Sequence, residues 1–358
     1  MALLGIFGAP RRYVQGPGAI RELASVRPVL GQRPVAIVDA DILPALEADL
    51  SAALGQGEYR ILAFRGEITR AQIARLIAEL DGFGADIVIG VGGGKGLDAA
   101  KGVAKALETP FVAVPTIASN DSPTGRSMAI YDDNHVMIAV EFLPDAPALV
   151  VVDTAIIARA PARFLRSGMG DAIAKKFEAE RAHAYGSKNG LGGKQTLTAL
   201  AIGDLCYRTL RQYGVAAMAA AEAHEVNDAF EAAVEANVLM SGLGWESGGL
   251  SYAHAVVRGL VQARDAKNNP HGEHVAYGTL VQLAIEGRDD AFIRDVAGFL
   301  RDVGLPTSLG ELGMADPTDA EIAEIARLTT IGPVGGMIEV RAAPEQIAAA
   351  IRRIEAMA

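Results

Sequence analysis

The stretch from Ala85 to Lys101, ADIVIGVGGGKGLDAAK, constrains the fold of this chain more than any other segment. Its apolar, β-branched run at 87–89 predicts a strand buried on both faces. Four glycines within five positions and then Lys95 follow, and helical spacing continues to Glu108. Glycines let the backbone approach a ligand closely, and a helix start offers unpaired N–H groups. We therefore predict a phosphate-binding loop.

This loop does not fit the two best-known phosphate-binding patterns. In a G-x-G-x-x-G reading from Gly90, Lys95 stands where the third glycine should fall. In a P-loop the lysine is followed by Ser or Thr, whereas here Gly96 follows. A glycine-rich turn between strand and helix, with no ligand, is the alternative interpretation.

Strands and helices alternate through the first part of the chain. Strands are predicted at 34–39, 60–64, 111–114 and 148–153, with a hairpin that turns at 132–134. This alternation predicts an α/β domain with a doubly wound parallel sheet. Ligands bind such sheets at the carboxyl ends of the strands, where Asp39, the glycine loop and the polar segment 115–121 fall. Asp39 either binds an adenosine ribose or caps the helix that starts near Ile42.

The pattern changes at about residue 162, where Ala-rich helical periodicity takes over. It predicts an all-α second domain, so that the chain divides into residues 1–161 and 162–358. The predicted helices cover 197–213, 216–239, 252–262, 277–285, 290–303, 319–327 and 344–358.

Composition excludes several classes of protein. The net charge of −10 argues against a nucleic-acid or anionic-membrane partner. Cys206 is the only cysteine, so an intrachain disulfide is impossible and a reducing cytoplasm is the expected location. The N-terminus has no basic residue ahead of its apolar patch, unlike a signal peptide, and no run of about 18 apolar residues predicts a membrane span.

Four residues could bind a metal ion. Asp171 follows two glycines at a predicted helix entrance, where an N-cap is the simpler interpretation. His254 also follows glycines, and His271 and His274 form an i, i+3 pair. Two imidazoles and one carboxylate would suit a catalytic zinc or iron(II) ion, although spacing alone leaves open whether they converge. The other three histidines are predicted to lie on the solvated surface: His135, His183 and His224.

Taken in order and spacing, the motifs resemble the iron-containing (group III) alcohol dehydrogenase superfamily over essentially the whole chain, most closely its polyol-oxidising members. The matching segments are 12–16, 38–39, 92–95 with Asp98 and Lys101, 115–119, 168–172, 249–254 and 271–273 with Val275 and Ala276.

The resemblance implies an NAD-binding domain at 1–161, a helical catalytic domain at 162–358 and an active site between them. By this resemblance Asp171, His254 and His271 bind one Zn²⁺ per subunit, with Fe²⁺ as the alternative, and His274 has no metal role. Asp121 would contact the substrate. The implied NAD-binding residues are Asp39, Gly93, Gly94, Lys95, Asp98, Thr116, Ser119, Gly125, Ser127 and Tyr131.

The implied reaction is the NAD-dependent oxidation of glycerol and related vicinal diols, which yields dihydroxyacetone from glycerol. Zinc would lower the pKa of the hydroxyl, and a hydride would pass to the nicotinamide. A homo-oligomer such as an octamer is also implied. Arg126 departs from the family pattern: it is interpreted as solvent-facing, but if it pointed inward it would favour an anionic substrate such as a 2-hydroxy acid. Two different functions on the same architecture would be a dehydroquinate synthase-like lyase and an inactive ligand sensor.

Overall fold

The computed structural model describes residues 3–133, 137–331 and 338–357. Its strands in these ranges are β1 (Tyr13–Gly16), β2 (Pro34–Asp39), β3 (Arg60–Phe64), β4 (Ile87–Gly92), β5 (Phe111–Pro115), β6 (Ser127–Tyr131), β7 (Met137–Phe142) and β8 (Leu149–Asp153). Six of them form one sheet in the order β1-β8-β5-β4-β2-β3, and every neighbouring pair is parallel.

The helices of the first domain are α1 (Val26–Leu30), α2 (Leu43–Leu54), α3 (Arg70–Ala78), α4 (Gly94–Leu107) and α5 (Thr154–Ala158). The helical domain contains α6 (Arg163–Ile173), α7 (Lys175–Tyr185), α8 (Leu197–Glu222), α9 (Asp228–Glu235), α10 (Ser241–Gly248), α11 (Tyr252–Leu260), α12 (His271–Ile285), α13 (Asp290–Asp302), α14 (Asp319–Thr330) and α15 (Pro344–Glu355). A π-helical turn, Ala236–Met240, joins α9 to α10.

The central strands are buried on both faces, as the apolar runs predict. Successive side chains of a strand point to opposite faces of the sheet, so each strand contributes side chains to two hydrophobic cores. Ile37 and Val88 pack with the cluster that contains Leu97 of α4, whereas Val38 and Ile89 pack with the cluster that contains helix α2. Each fully buried Val or Ile side chain contributes about 1.5–3 kcal/mol. The prediction of an α/β domain with a doubly wound parallel sheet, followed by helices, is confirmed.

The carboxyl ends of β2, β4 and β5 meet at one edge of the sheet. These three strands are parallel neighbours, and they end at Asp39, Gly92 and Pro115. The hairpin of β6 and β7 is antiparallel, with Ile130 opposite Ala139. Part of its predicted turn, Asn134, lies outside the described residues.

Three helix boundaries predicted from the sequence are wrong. Helix α12 begins at His271, whereas its start was predicted at 277. Helix α8 continues through Gly214, where a break between two helices was predicted. The second of these predicted helices is interrupted at 223–227, because the side chain of Asn227 caps a new helix, α9, by accepting a bond from Phe230 N at 3.0 Å.

Glycines bring α6 and α12 into backbone contact. A Cβ on Gly170 would lie 2.2 Å from the carbonyl oxygen of Gly272, and a Cβ on Gly272 would lie 1.7 Å from the carbonyl oxygen of Ser167. The glycines before Asp171 lie inside α6, so the expected helix entrance is wrong, and so is the alternative interpretation of Asp171 as an N-cap. Among the described residues, no helix is both long and apolar enough to cross a membrane.

Candidate metal and dinucleotide site

The glycine loop leads directly into α4. Gly93 is the residue before the helix and has no side chain to cap it, so the first-turn N–H groups remain available to a ligand. The loop 116–121 lies against this turn. A Cβ on Gly93 would be 2.8 Å from Ile117 Cδ1, and one on Gly94 would be 2.7 Å from Asn120 Nδ2. A side chain at either glycine would therefore require Ile117 or Asn120 to move.

Asp39 lies beside the same loop. A Cβ on Gly92 would be 3.2 Å from the Cβ of Asp39. Asp39 Oδ1 accepts a bond from Asp41 N at 3.0 Å, and helix α2 begins after Ile42. The alternative in which Asp39 caps the helix is therefore wrong. Lys95 is exposed and forms an ion pair with Glu67, so a phosphate would compete with that carboxylate.

Asp98 is part of a buried network rather than an open surface. Its Oδ1 accepts bonds from Lys101 Nζ at 3.1 Å and Ser122 Oγ at 2.7 Å, and its Oδ2 accepts one from Ala129 N at 3.0 Å. Lys101 Nζ also donates to the carbonyl oxygen of Ser127 at 2.8 Å. This network joins α4 to the segment after β5, which carries several of the predicted cofactor-binding residues: Ser119, Gly125, Ser127 and Tyr131. Thr116, at the start of that segment, is buried and its N–H donates to Gly92 O at 3.1 Å.

Asp171, His254 and His271 converge, although they come from α6, α11 and α12. Asp171 Oδ1 lies 3.2 Å from His254 Nε2 and 3.8 Å from His271 Nε2. A tetrahedral ion with bonds of about 2.0–2.2 Å needs ligand atoms about 3.3–3.6 Å apart. The donor set and its spacing fit a zinc or iron(II) ion. Asp171 is buried, whereas His271 is about half exposed (48%), so the cluster opens on its His271 side.

Glu178 fixes the orientation of His254. Its Oε2 lies 2.7 Å from His254 Nδ1, and its Oε1 accepts bonds from the N–H groups of Ser251 and His254. Because an ionised carboxylate only accepts, Nδ1 carries the proton and Nε2 faces Asp171. Burial opposes ionisation of Glu178, but His254 and Lys175 outweigh it and the pKa of Glu178 is lowered.

Lys175 supplies a buried cation inside the cluster. Its Nζ lies 2.8 Å from Asp171 Oδ1, 3.1 Å from Asp121 Oδ2 and 3.5 Å from His254 Nε2. Burial opposes the charge, yet the surrounding carboxylates outweigh it and raise the pKa of Lys175. Asp121 comes from the loop after β5 and reaches the helical domain through this contact. Burial raises the pKa of Asp121 despite the lysine.

Arg126 is largely buried, and its donors are bonded to protein groups. Its N–H and Nε both donate to Glu246 Oε1, at 2.9 and 3.3 Å, and its guanidinium reaches the carbonyl oxygens of Leu143 and Gly190. The interpretation of Arg126 as solvent-facing is wrong. Since its donors are engaged, the sequence argument for an anionic substrate is also lost.

The remaining histidines divide between core and surface. His274 is buried and its Nε2 lies 2.7 Å from Ala266 O, away from the metal cluster. His183 is exposed as predicted, and His224 is exposed but its Nδ1 lies 2.7 Å from Ala158 O. His135 lies outside the described residues.

Sequence analysis missed Lys175 and Glu178, which surround the predicted ligands. Their spacing from Asp171 could have indicated them. Positions 171, 175 and 178 are i, i+4 and i+7, which would share one face of a continuous helix, although in the structure α6 ends at Ile173 and α7 begins at Lys175.

The fold and the site together describe a dinucleotide-type α/β domain joined to a helical domain with a carboxylate–histidine cluster. The sequence profile described as iron-containing alcohol dehydrogenase matches residues 10–154. The chain is 41% identical to a glycerol dehydrogenase from Thermotoga maritima over 88% of its own length and 87% of the relative's. It is 38% identical to a glycolaldehyde reductase from Halobacterium salinarum over 90% and 89% of the two chains.

A solved structure agrees with this relationship. The crystal structure of a probable glycerol dehydrogenase from Sinorhizobium meliloti 1021 covers 99% of both chains at 37% identity, with a TM-score of 0.91. The chain therefore belongs to the iron-containing alcohol dehydrogenase family, and it is an oxidoreductase.

Proposed function

We propose that the protein is a metal-dependent, NAD-linked dehydrogenase that oxidises glycerol and related vicinal diols, giving dihydroxyacetone from glycerol. The observation that carries this proposal is the convergence of Asp171, His254 and His271, with Asp121 facing them from the sheet domain. The names of relatives that are 39–41% identical support the same chemistry.

The residues of the helical domain and Asp121 would bind the metal ion and the substrate. Asp171, His254 and His271 would hold one Zn²⁺ or Fe²⁺, which when bound acts as a Lewis acid and lowers the pKa of the substrate hydroxyl. Asp121 would accept a hydrogen bond from the diol, and Glu178 keeps Nε2 of His254 directed at the ligand cluster.

The sheet domain would bind the cofactor. The uncapped start of α4 at Gly93 and Gly94 would hold the pyrophosphate, with Lys95 released from Glu67. Asp39 would accept bonds from the adenosine ribose hydroxyls and disfavour a 2′-phosphate, which would meet its negative charge. Thr116, Ser119, Gly125, Ser127 and Tyr131 would line the path towards the nicotinamide, and Asp98 would support them through its network.

A second candidate is the interconversion of another small hydroxy compound by the same chemistry. The similarity to a glycolaldehyde reductase favours a hydroxyaldehyde. A 2-hydroxy acid could bind the same metal ion through its hydroxyl and carboxylate, but Arg126 is engaged with Glu246 and offers no second cation.

The test is the formation of NADH by purified protein at alkaline pH, with glycerol compared against 1,2-propanediol, ethylene glycol, a 2-hydroxy acid and a simple alcohol. Each assay is run before chelation, after it and after Zn²⁺ is restored, and NADP replaces NAD in a parallel series. Glycerol turnover that is lost with chelator, recovered with zinc and stronger with NAD is the expected result. Turnover that persists in chelator would contradict the metal, and turnover of another substrate alone would contradict glycerol.

A further inference from the structure

The metal cluster already contains a cation that belongs to the protein. Lys175 Nζ is closer to Asp171 Oδ1, at 2.8 Å, than is the Nε2 of His254, at 3.2 Å, or that of His271, at 3.8 Å. The lysine side chain is only 1% exposed, so its ammonium has little water to interact with and depends on these carboxylates.

Two carboxylates contact this one ammonium, and a third contacts the neighbouring imidazole. Asp121 and Asp171 contact Nζ directly, and Glu178 contacts the imidazole of His254 from the other side. The lysine offsets part of the negative charge of these acids. Without it the cluster would be more negative by one charge, and a divalent ion would be attracted more strongly.

We propose that Lys175 is a resident counter-ion that stabilises the ligand cluster when no metal is bound and weakens the binding of a divalent metal. This inference rests on the metal site in the proposed function. A divalent ion that binds Asp171 Oδ1 must share that oxygen with the ammonium or displace it towards Asp121, and two cations near one oxygen repel each other.

Replacing Lys175 should change the stability of the metal-free protein and its metal affinity in opposite directions. This distinguishes a counter-ion from a residue that only maintains the shape of the site. Replacing Lys175 by a neutral residue leaves Asp121 and Asp171 buried without their cation, so the metal-free protein loses stability. The same replacement removes a positive charge from beside the metal, so metal affinity rises. A lysine that only maintained the shape of the site would lower both quantities when replaced.

The experiment compares the wild type with Lys175→Met, which keeps the length of the side chain without its charge. The matched control is Lys176→Met, because the neighbouring Lys176 pairs with Glu180 and Asp204 instead, each at 2.7 Å. The Zn²⁺ dissociation constant is measured by competition with a chromophoric chelator, and Tm is measured in excess EDTA. Lys175→Gln, whose neutral amide still donates hydrogen bonds, is the second variant if Lys175→Met does not fold.

We expect Lys175→Met to bind Zn²⁺ about tenfold or more tightly than the wild type, with a lower Tm in EDTA. Lys176→Met should leave the Zn²⁺ affinity unchanged. Unchanged or weaker Zn²⁺ binding by the Lys175 variant would overturn the inference. If the wild type binds Zn²⁺ and the Lys175 variant does not bind it more tightly, only the proposed role of Lys175 is wrong. If neither protein binds Zn²⁺, the metal site in the proposed function is wrong as well.

Discussion

Asp171, near the end of α6, and Lys175 and Glu178, at the start of α7, belong to one cluster but have different partners. Asp171 faces both histidines, Lys175 joins it to Asp121, and Glu178 holds His254. The sequence could indicate that these charges lie close together, because their spacing is i, i+4 and i+7. It could not reveal that they are buried, since the partners come from α11 and from the loop after β5.

Glu178→Gln should weaken metal binding by about 10–100-fold, because a neutral amide orients and polarises His254 less strongly than a carboxylate does. The Zn²⁺ dissociation constant is measured by chelator competition. Glu180→Gln is the control, since Glu180 lies on the same helix and pairs with Lys176 at the surface. Equal effects of the two substitutions would contradict the positioning role of Glu178.

His274 should make the folded protein sensitive to acid. Burial lowers its pKa, although the bond to Ala266 O opposes this, so the native imidazole is neutral. As the pH falls below about 6.5, His274 is protonated in the unfolded chain but stays neutral in the native state, so the free energy of unfolding decreases.

His274→Gln keeps an amide donor for Ala266 O but cannot be protonated. Its free energy of unfolding should fall less steeply with decreasing pH, by up to about 1.4 kcal/mol per pH unit below pH 6.5. Urea unfolding at pH 7, 6 and 5 measures this slope. His183→Gln, at an exposed histidine, should reproduce the wild-type slope; a wild-type slope in His274→Gln as well would exclude a buried neutral His274.

At the scale of elements, the contact between α6 and α12 should be highly sensitive to a single methyl group. Gly272→Ala places a Cβ 1.7 Å from the backbone carbonyl oxygen of Ser167, which cannot move aside like a flexible side chain. We expect the free energy of unfolding to fall by about 3 kcal/mol or more.

Gly298→Ala in α13 is the matched control, because a Cβ there meets no atom within 4 Å. Alanine favours a helix over glycine by about 0.8–1 kcal/mol, so this variant should be as stable as the wild type or more so. Urea titration of both variants measures the difference. Similar losses in the two would show that backbone contact is not the reason for Gly272.

Glycine also explains which elements could be predicted from the sequence. The strands were predictable because continuous apolar runs have few other interpretations in a parallel sheet. Gly214 suggested a helix end, but a Cβ there would lie 2.9 Å from Phe299 Cζ, so this glycine serves packing inside α8. The glycines before Asp171 likewise suggested a helix boundary where the structure has the interior of α6. A sequence shows that a position is glycine, but it does not show which neighbouring atoms leave no room for a side chain there.

At the scale of the whole molecule, Asn237 joins the two domains beside the site. Its Nδ2 donates to Ala118 O, in the loop after β5, at 3.0 Å and to Leu165 O, in α6, at 2.9 Å. Asn237→Ala leaves both buried carbonyls without this donor, which should lower the free energy of unfolding by about 2 kcal/mol or more.

The same substitution should weaken NAD binding, because Ala118 belongs to the loop that lies against the glycine turn. Asn269→Ala is the control: its Nδ2 also donates to two carbonyl oxygens, those of Ala266 and Leu312, but both lie in the helical domain. Both variants should lose stability, while only Asn237→Ala should raise the NAD dissociation constant measured by fluorescence titration. Unchanged NAD affinity in Asn237→Ala would contradict the coupling.

The arrangement of the two domains followed from the resemblance rather than from periodicity. Helical spacing predicts helices but not which of them meet, so the convergence of α6, α11 and α12 needed the family pattern. The domain boundary between residues 161 and 162 and the homo-oligomer stay predictions.

The direct contact between α6 and α12 has a consequence for how this chain can change in length. Asp171 and His271 lie next to Gly170 and Gly272, where the two main chains touch. Adding or deleting one residue in α6 before Asp171 would rotate this ligand by about 100° about the helix axis and shift it by about 1.5 Å. His271 is the first residue of α12, so its position depends on the loop that precedes it. A change of length should therefore be tolerated least in α6, where it would move the carboxylate away from His271.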